Sequence, residues 1–355
     1  MGSSDYHYFL LTMNFSFRTA VSILAGIIIF AGGAWWYTIK YAPREVKIYK
    51  IAILVRGASS AYKTSVESFL KTMRELGHEE GEGGNTHYDI RYVNTKDEIN
   101  GAIQEFIAEN VDVIHVYSTP ATQAAYQATK DMARPIPIVF GSMGDPLSAG
   151  VVKNIDRPDT NVTGVASLST ELTAKRLELL KEIDPKIERV AVPHSAVELK
   201  DAASLRSLEI ARETAAKLGM TLVYYPVASS QDNERVAATI TKKEVDGIII
   251  TADSLIFAGL KSYVAQSLKE KFPFAVFDMS QVEQGGLVGF GPDYAVTGEQ
   301  SARLVHQILQ GGDPSVIRVE VPKKLLLAVN LTTARAIGIT LTQEFLKKAD
   351  IVVGK

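Results

Sequence analysis

Five stretches of the chain close a short apolar run with small polar residues and pass straight into a helical pattern: VRGASSAYK (55–63), VYSTPATQAAY (116–126), VPHSAVELK (192–200), TADSLIFAGL (251–260) and FDMSQVEQGG (277–286). A helix start carries free N–H groups and a partial positive charge, so it suits an anion. Ser118, Thr119 and Thr122 are therefore placed to hold a carboxylate, and Ser59 and Ser60 offer the same chemistry at the first such turn. The same hydroxyls also cap their own helices, and capping and binding can share one site. In the second half of the chain the corresponding turns carry Ser195, Asp253, Ser254 and Asp278. Asp253 either caps its helix or pairs with a ligand ammonium, which would suit the site to a zwitterion, and Asp278 competes for that role. Tyr62, Phe257 and Tyr294 are candidates to pack on an apolar or aromatic ligand group.

No enzyme signature accompanies these residues. The chain lacks a G-x-x-x-x-G-K-[ST] phosphate loop, a G-x-S-x-G elbow, an H-E-x-x-H pair and a G-x-G-x-x-G after a strand, and no nucleophile and base pair presents itself. With no cysteine, disulfides, thiol chemistry, cysteine metal sites and a lipidated N-terminal cysteine are all excluded. His78 and His87 flank the acidic run HEEGEGGNTH, which reads as a solvated loop, so neither a metal site nor a cofactor is assigned. A net charge of -2 offers no broad basic field for nucleic acid.

These turns must be positioned by the elements around them. Apolar runs at 48–55, 88–93, 111–117 and 136–140 alternate with helical spacing at 59–76, 96–109 and 120–132, the pattern of a parallel sheet with helices on both faces. A second series follows: helices over 170–182, 200–218, 232–244 and 254–269, and strands over 189–193, 221–227, 246–251 and 274–278. A strand at 286–290, a helix at 293–310, strands at 316–321 and 325–329 and a helix at 341–348 close the chain. The expectation is an α/β protein of two doubly wound parallel-sheet lobes, with ligand-facing strand ends converging on the cleft between them.

Ahead of this body, TAVSILAGIIIFAGGAWWYTI (19–39) carries no charge and is long enough to cross a bilayer as a helix, with Trp35, Trp36 and Tyr37 at one end. It reads as a transmembrane anchor or as a cleavable signal with a weak site at Gly32–Ala34. Lys40, Arg44, Lys47 and Lys50 follow it and only Arg18 precedes it in the near flank, a bias that by itself opposes export.

FGSMGDPLSAGVVKNIDRPDTNVTG (140–164), then GGLVGFGPDYAVTGEQSARLVHQILQGGDP (285–314) and LLLAVNLTTARAIGITL (325–341), resemble in order the signatures of the ABC transporter substrate-binding protein family associated with tryptophan and tyrosine uptake. With STPATQAA, the resemblance spans roughly 48–353. It implies a type I periplasmic binding protein fold, in which two α/β lobes joined by three crossovers close on a small amino-acid-like ligand. It also implies delivery to an ABC permease driven by a separate ATPase, and a periplasmic or otherwise extracytoplasmic location, with the membrane reached through the N-terminal segment. The expected division is a tail (1–18), an anchor or signal (19–39), a linker (40–47), a first lobe (48–165 plus about 285–325) and a second lobe (166–284 plus about 326–355). Carried over by motif, Ser118, Thr119 and Thr122 would grip a carboxylate and Asp253 would stand in a Pro-Thr-Asp-Asn-like loop, here Thr251-Ala252-Asp253-Ser254. Asp145, Pro146 and Gly164 become turn and hinge residues on the way to the first crossover. The alternative function is a membrane-tethered ligand-binding sensor.

Overall fold

A computed structural model of the chain describes residues 22, 28, 30–33, 35–36, 47–57, 59–195 and 202–354. The chain divides into two units, Met1–Lys47 and Ile48–Lys355. In the first, the described residues between 22 and 36 are helical, and most of the segment expected to be an anchor or signal lies outside the described residues. Among the described residues no helix is long and apolar enough to cross a membrane.

The second unit opens with β1 (Tyr49–Arg56), α1 (Ser60–Glu75), β2 (Thr86–Val93), α2 (Lys96–Ala108), β3 (Val113–Tyr117), α3 (Thr119–Thr129), β4 (Ile138–Met143) and β5 (Val162–Ala166). These strands form one sheet in the order β2-β1-β3-β4-β5, with every pair parallel. Successive residues of a strand face opposite sides, and both sides are covered, which is why β1 is an unbroken apolar run. Ile51, Ile53 and Val55 pack under Phe69 and Met73 of α1. Ala52 and Leu54 pack with Ile103 and Phe106 of α2.

The chain then builds α4 (Thr173–Ile183), β6 (Arg189–Ser195), α5 (Ala202–Lys217), β7 (Thr221–Val227), α6 (Asp232–Thr239), β8 (Gly247–Ile249), α7 (Ser254–Ala258), α8 (Leu260–Glu270), β9 (Phe274–Val276), α9 (Met279–Glu283) and β10 (Val288–Pro292). It returns to the first lobe as α10 (Tyr294–Leu309), which packs on α1, and Ala302, Val305 and Ile308 enter that lobe's core. It crosses back for β11 (Leu325–Asn330), α11 (Leu331–Ile337), α12 (Gln343–Lys348) and β12 (Ile351–Val353). The second sheet has the order β12-β11-β10-β9-β8-β6-β7, parallel throughout except where β11 runs antiparallel to β10.

Several boundaries differ from expectation for physical reasons. The 254–269 helix is two, because Gly259 breaks it where a Cβ would collide with the Asn233 side chain. The helix begun at Asp232 stops at Thr239, with Ile240 already extended. The expected strand at 316–321 contributes only an isolated bridge between Glu320 and Val165. β10, grouped with the first lobe in the sequence-based division, hydrogen-bonds between β9 and β11 of the second sheet, so the return to the first lobe starts at α10. The crossovers are therefore 167–172, the turn at Asp293, and the approach to β11.

Candidate functional site

Each wall of the cleft is set by a local feature. At the end of β3, Ser118 adopts φ 96 and ψ 147, a region essentially reserved for glycine, at a cost of about 1–3 kcal/mol. Its N–H donates to the Ser142 carbonyl at 3.2 Å, and Thr122 returns both its N–H (3.1 Å) and its hydroxyl (2.8 Å) to the Ser118 carbonyl. This leaves the buried Ser118 Oγ without a partner. Beside it, β4 changes register after Phe140, where a Cβ on Gly141 would meet the Tyr117 ring at 2.6 Å and His115 at 2.8 Å. Such a bulge re-aims the strand, and it brings Ser142 and Gly144 to the cleft.

Ser118, Thr119, Ser142, Gly144 and Tyr62 of the first lobe, with Tyr294 at the head of α10, line one side of a cavity between the sheets. The first crossover adds Ser167 and Ser169, and the second lobe adds Ala252, Asp253, Phe257 and Phe277. The space between these walls is about 40 Å³, room for about three waters. A larger hollow of about 630 Å³ lies between α2 and α3, lined by Arg56, Lys96, Pro120 and Gln123 among others. The unpartnered buried Ser118 hydroxyl lines the small cavity, and that makes the cleft the candidate site.

The two carboxylates expected to compete differ sharply. Asp253 is fully buried and takes donors from Ser195 N (2.7 Å), Ser195 Oγ (2.7 Å), Ser204 Oγ (2.7 Å), Leu255 N (3.0 Å) and Ile256 N (3.4 Å). It caps α7 and ties β6 to α5, leaving little acceptor capacity for an ammonium. Asp278 caps α9 through one oxygen, Oδ1, which accepts from Ser280 Oγ (2.7 Å) and Gln281 N (3.1 Å). Burial pushes its carboxyl above the ordinary range, against the pull of those bonds and of the Arg176 charge. Burial first, and Asp278 next, hold the Tyr294 phenol well above its usual range. Burial also takes Tyr62 up to about 12 despite the Ser142 hydroxyl.

Of the residues singled out in the sequence, Ser118, Thr119 and Asp253 meet at the cavity, as do Tyr62, Phe257 and Tyr294. Thr122 is committed to its own helix and Ser195 to Asp253. Ser59 and Ser60 are exposed, and the Ser254 side chain lies outside the described residues. Asp145 accepts from Ser148 N at 2.9 Å, forming with Pro146 the turn after β4. Gly164 sits in β5, where a Cβ would collide with the Phe140 carbonyl, and its own carbonyl accepts from Glu320 N at 2.8 Å. His78 turns inward to His306 (Nε2 to Nδ1, 2.9 Å) while His87 reaches Glu80 at 3.4 Å, so the two flanking histidines do not converge.

Ser167, Ser169 and Phe277 escaped sequence reasoning because a crossover and a strand end bring them in. Arg176 left a signal: Thr173, Arg176, Leu177 and Leu180 stand at i, i+3, i+4 and i+7, so an arginine occupies the buried stripe of α4.

Residues 50–353 match the family model described as ABC transporter substrate binding protein. The chain is 26% identical over 275 residues to a curated protein named tyrosine-binding protein from Clostridioides difficile (strain R20291), covering 76% of this chain and 75% of that one. Among solved structures, a conserved domain protein from Vibrio cholerae aligns with a TM-score of 0.79 at 30% identity, covering 86% of this chain and all of that one, 100%. The ABC domain in complex with L-Trp from Streptococcus pneumonia aligns with a TM-score of 0.78 at 23% identity, with the same 86% and 100% coverage. The architecture is of the type I periplasmic binding kind.

Proposed function

The chain belongs to the family of ABC transporter substrate binding proteins, and from that premise we propose that its cleft takes up an amino acid with an aromatic side chain outside the cytoplasm and presents it to a membrane permease served by a separate ATPase. The observation that carries this reading is the unpartnered Ser118 hydroxyl, held in a strained backbone at the start of α3 and opposed across a small cavity by Phe257 and Phe277. A carboxylate at Ser118 and Thr119 would gain a hydroxyl donor and the field of a helix N-terminus. Tyr62, Tyr294, Phe257 and Phe277 supply faces and edges for an aromatic ring. Asp278, whose capping bonds from Ser280 Oγ and Gln281 N both fall on Oδ1, takes the ammonium better than Asp253, which accepts from five donors of its own lobe. The names of the tyrosine-binding relative and of the L-Trp complex agree with this ligand class.

The cavity is too small for such a ligand, so the lobes part to admit it and close on it, with 167–172, Asp293 and the stretch before β11 as hinges. Asp145, Pro146 and Gly164 set the path into the first hinge. Residues 19–39 hold the protein at the membrane or direct its export, which intact mass and fractionation of the native protein would separate. Calorimetry of the purified protein against L-tryptophan, L-tyrosine, L-phenylalanine, L-leucine, L-lysine and ribose tests the ligand class. Saturable binding confined to the aromatic amino acids is expected. Binding of another class, with none of the aromatics, would reject the reading.

A further inference from the structure

Arg176 is the largest fully buried side chain of the described residues, at 0% exposure. Its Nη2 donates to the Ser169 carbonyl and, at 3.1 Å, to Thr173 Oγ1. The guanidinium carbon lies 3.9 Å from the centroid of the Phe277 ring. Its Nε and Nη1 have no partner. A buried cation with unmet N–H groups costs stability, because water would have satisfied both. Packing alone does not call for one, since a methionine fills a helix stripe without that cost.

The position of this charge gives it a use. Ser169 and Phe277, its immediate contacts, are both cavity wall, so the guanidinium stands directly behind the lining. Asp278 is close enough for the two charges to influence each other. The second lobe thus holds a cation against the Phe277 ring and, at the next residue, a carboxylate, and an α-amino acid carries an anion and a cation on one carbon. Admitting any amino acid must displace this wall, because about 40 Å³ does not hold one. The N–H groups left unmet on Nε and Nη1 then remain to donate a charge-assisted bond to a carboxylate.

We propose that Arg176 receives the carboxylate of the bound amino acid from the second lobe while Ser118 meets it from the first, so that this one contact bridges the lobes and makes a free carboxylate obligatory. The proposal rests on the reading of the cleft as an amino-acid site. It is tested by calorimetry on the full-length protein with L-tryptophan, L-tyrosine and the corresponding carboxamides. The wild type should prefer each acid over its amide by tenfold or more. Arg176→Gln should weaken the acids about a hundredfold, the amides far less, and bring the preference close to one. Arg176→Lys, which keeps the charge on a shorter side chain with a single nitrogen, should fall between.

An Arg176→Gln protein that retains the wild-type acid-to-amide ratio overturns the proposal, however far its affinities fall, since a merely structural arginine would weaken acid and amide alike. Should Arg176→Gln not fold, the ratio in Arg176→Lys decides: a reduced preference supports the proposal and an unchanged one overturns it. If the wild type binds neither amino acid, the reading of the cleft has failed and the proposal falls with it. That result appears before any variant is made, so the two failures are distinct.

Discussion

Ser118 and Asp253 occupy equivalent places, each at the N-cap of a helix that follows a strand, yet they make opposite demands on stability. Ser118 gives up backbone comfort and leaves its hydroxyl unpaired, whereas Asp253 gathers five donors from its own lobe. Ser118→Ala should therefore weaken ligand binding about tenfold without lowering the melting temperature of the ligand-free protein. Asp253→Ala should cost about 3 kcal/mol or more of stability in urea unfolding, because it strands buried donors. His115 makes a separate prediction. It is fully buried, its Nδ1 sits 2.8 Å from the Val139 carbonyl and its Nε2 2.9 Å from Tyr117 Oη, and burial takes its pKa down to about 4. The unfolded chain then binds more protons than the native one between the ordinary histidine value and about 4, so stability falls as pH drops through that window. The loss should reach about 2–3 kcal/mol near the lower end. Urea unfolding at neutral and acid pH should show a smaller difference in His115→Gln.

Among the elements, the crossovers and the strands that feed them carry the function. β5 runs beside β4 so closely that Gly164 has no room for a Cβ against the Phe140 carbonyl and ring, and its carbonyl takes the Glu320 N–H from the segment leading back to β11. Gly164→Ala should destabilise by about 1–3 kcal/mol, because backbone rather than a flexible side chain must move. The effect should appear in the unfolding midpoint and, through the 167–172 crossover, as weaker ligand binding. A variant with wild-type stability would mean that β4 and β5 can separate there. The stripe of α4 and the bulge of β4 make the same point from opposite sides. The misplaced arginine can be read in the sequence by helical spacing, while Ser142 is oriented by a register shift between strands that no spacing announces.

For the whole molecule, the 40 Å³ cavity predicts a cycle of opening and closure. Small-angle scattering should show ligand-free protein with a larger radius of gyration than protein saturated with its amino acid. Ligand at a hundred times its Kd should add about 2.7 kcal/mol of stability. A radius unchanged on saturation would remove hinge closure from the account. The alternation of apolar runs and helical spacing determined the two α/β series and their parallel sheets, and the turn chemistry offered the helix-capping role of Asp253, because strand burial on both faces and cap chemistry are local and leave local patterns. It also named six of the residues that line the cavity. Tertiary structure alone decided that β10 joins the second sheet, that Asp253 is consumed by its own lobe, and that Arg176 lies against the Phe277 ring. These depend on which distant segments pack together and which donors they deliver, and a chain read in order carries no record of that.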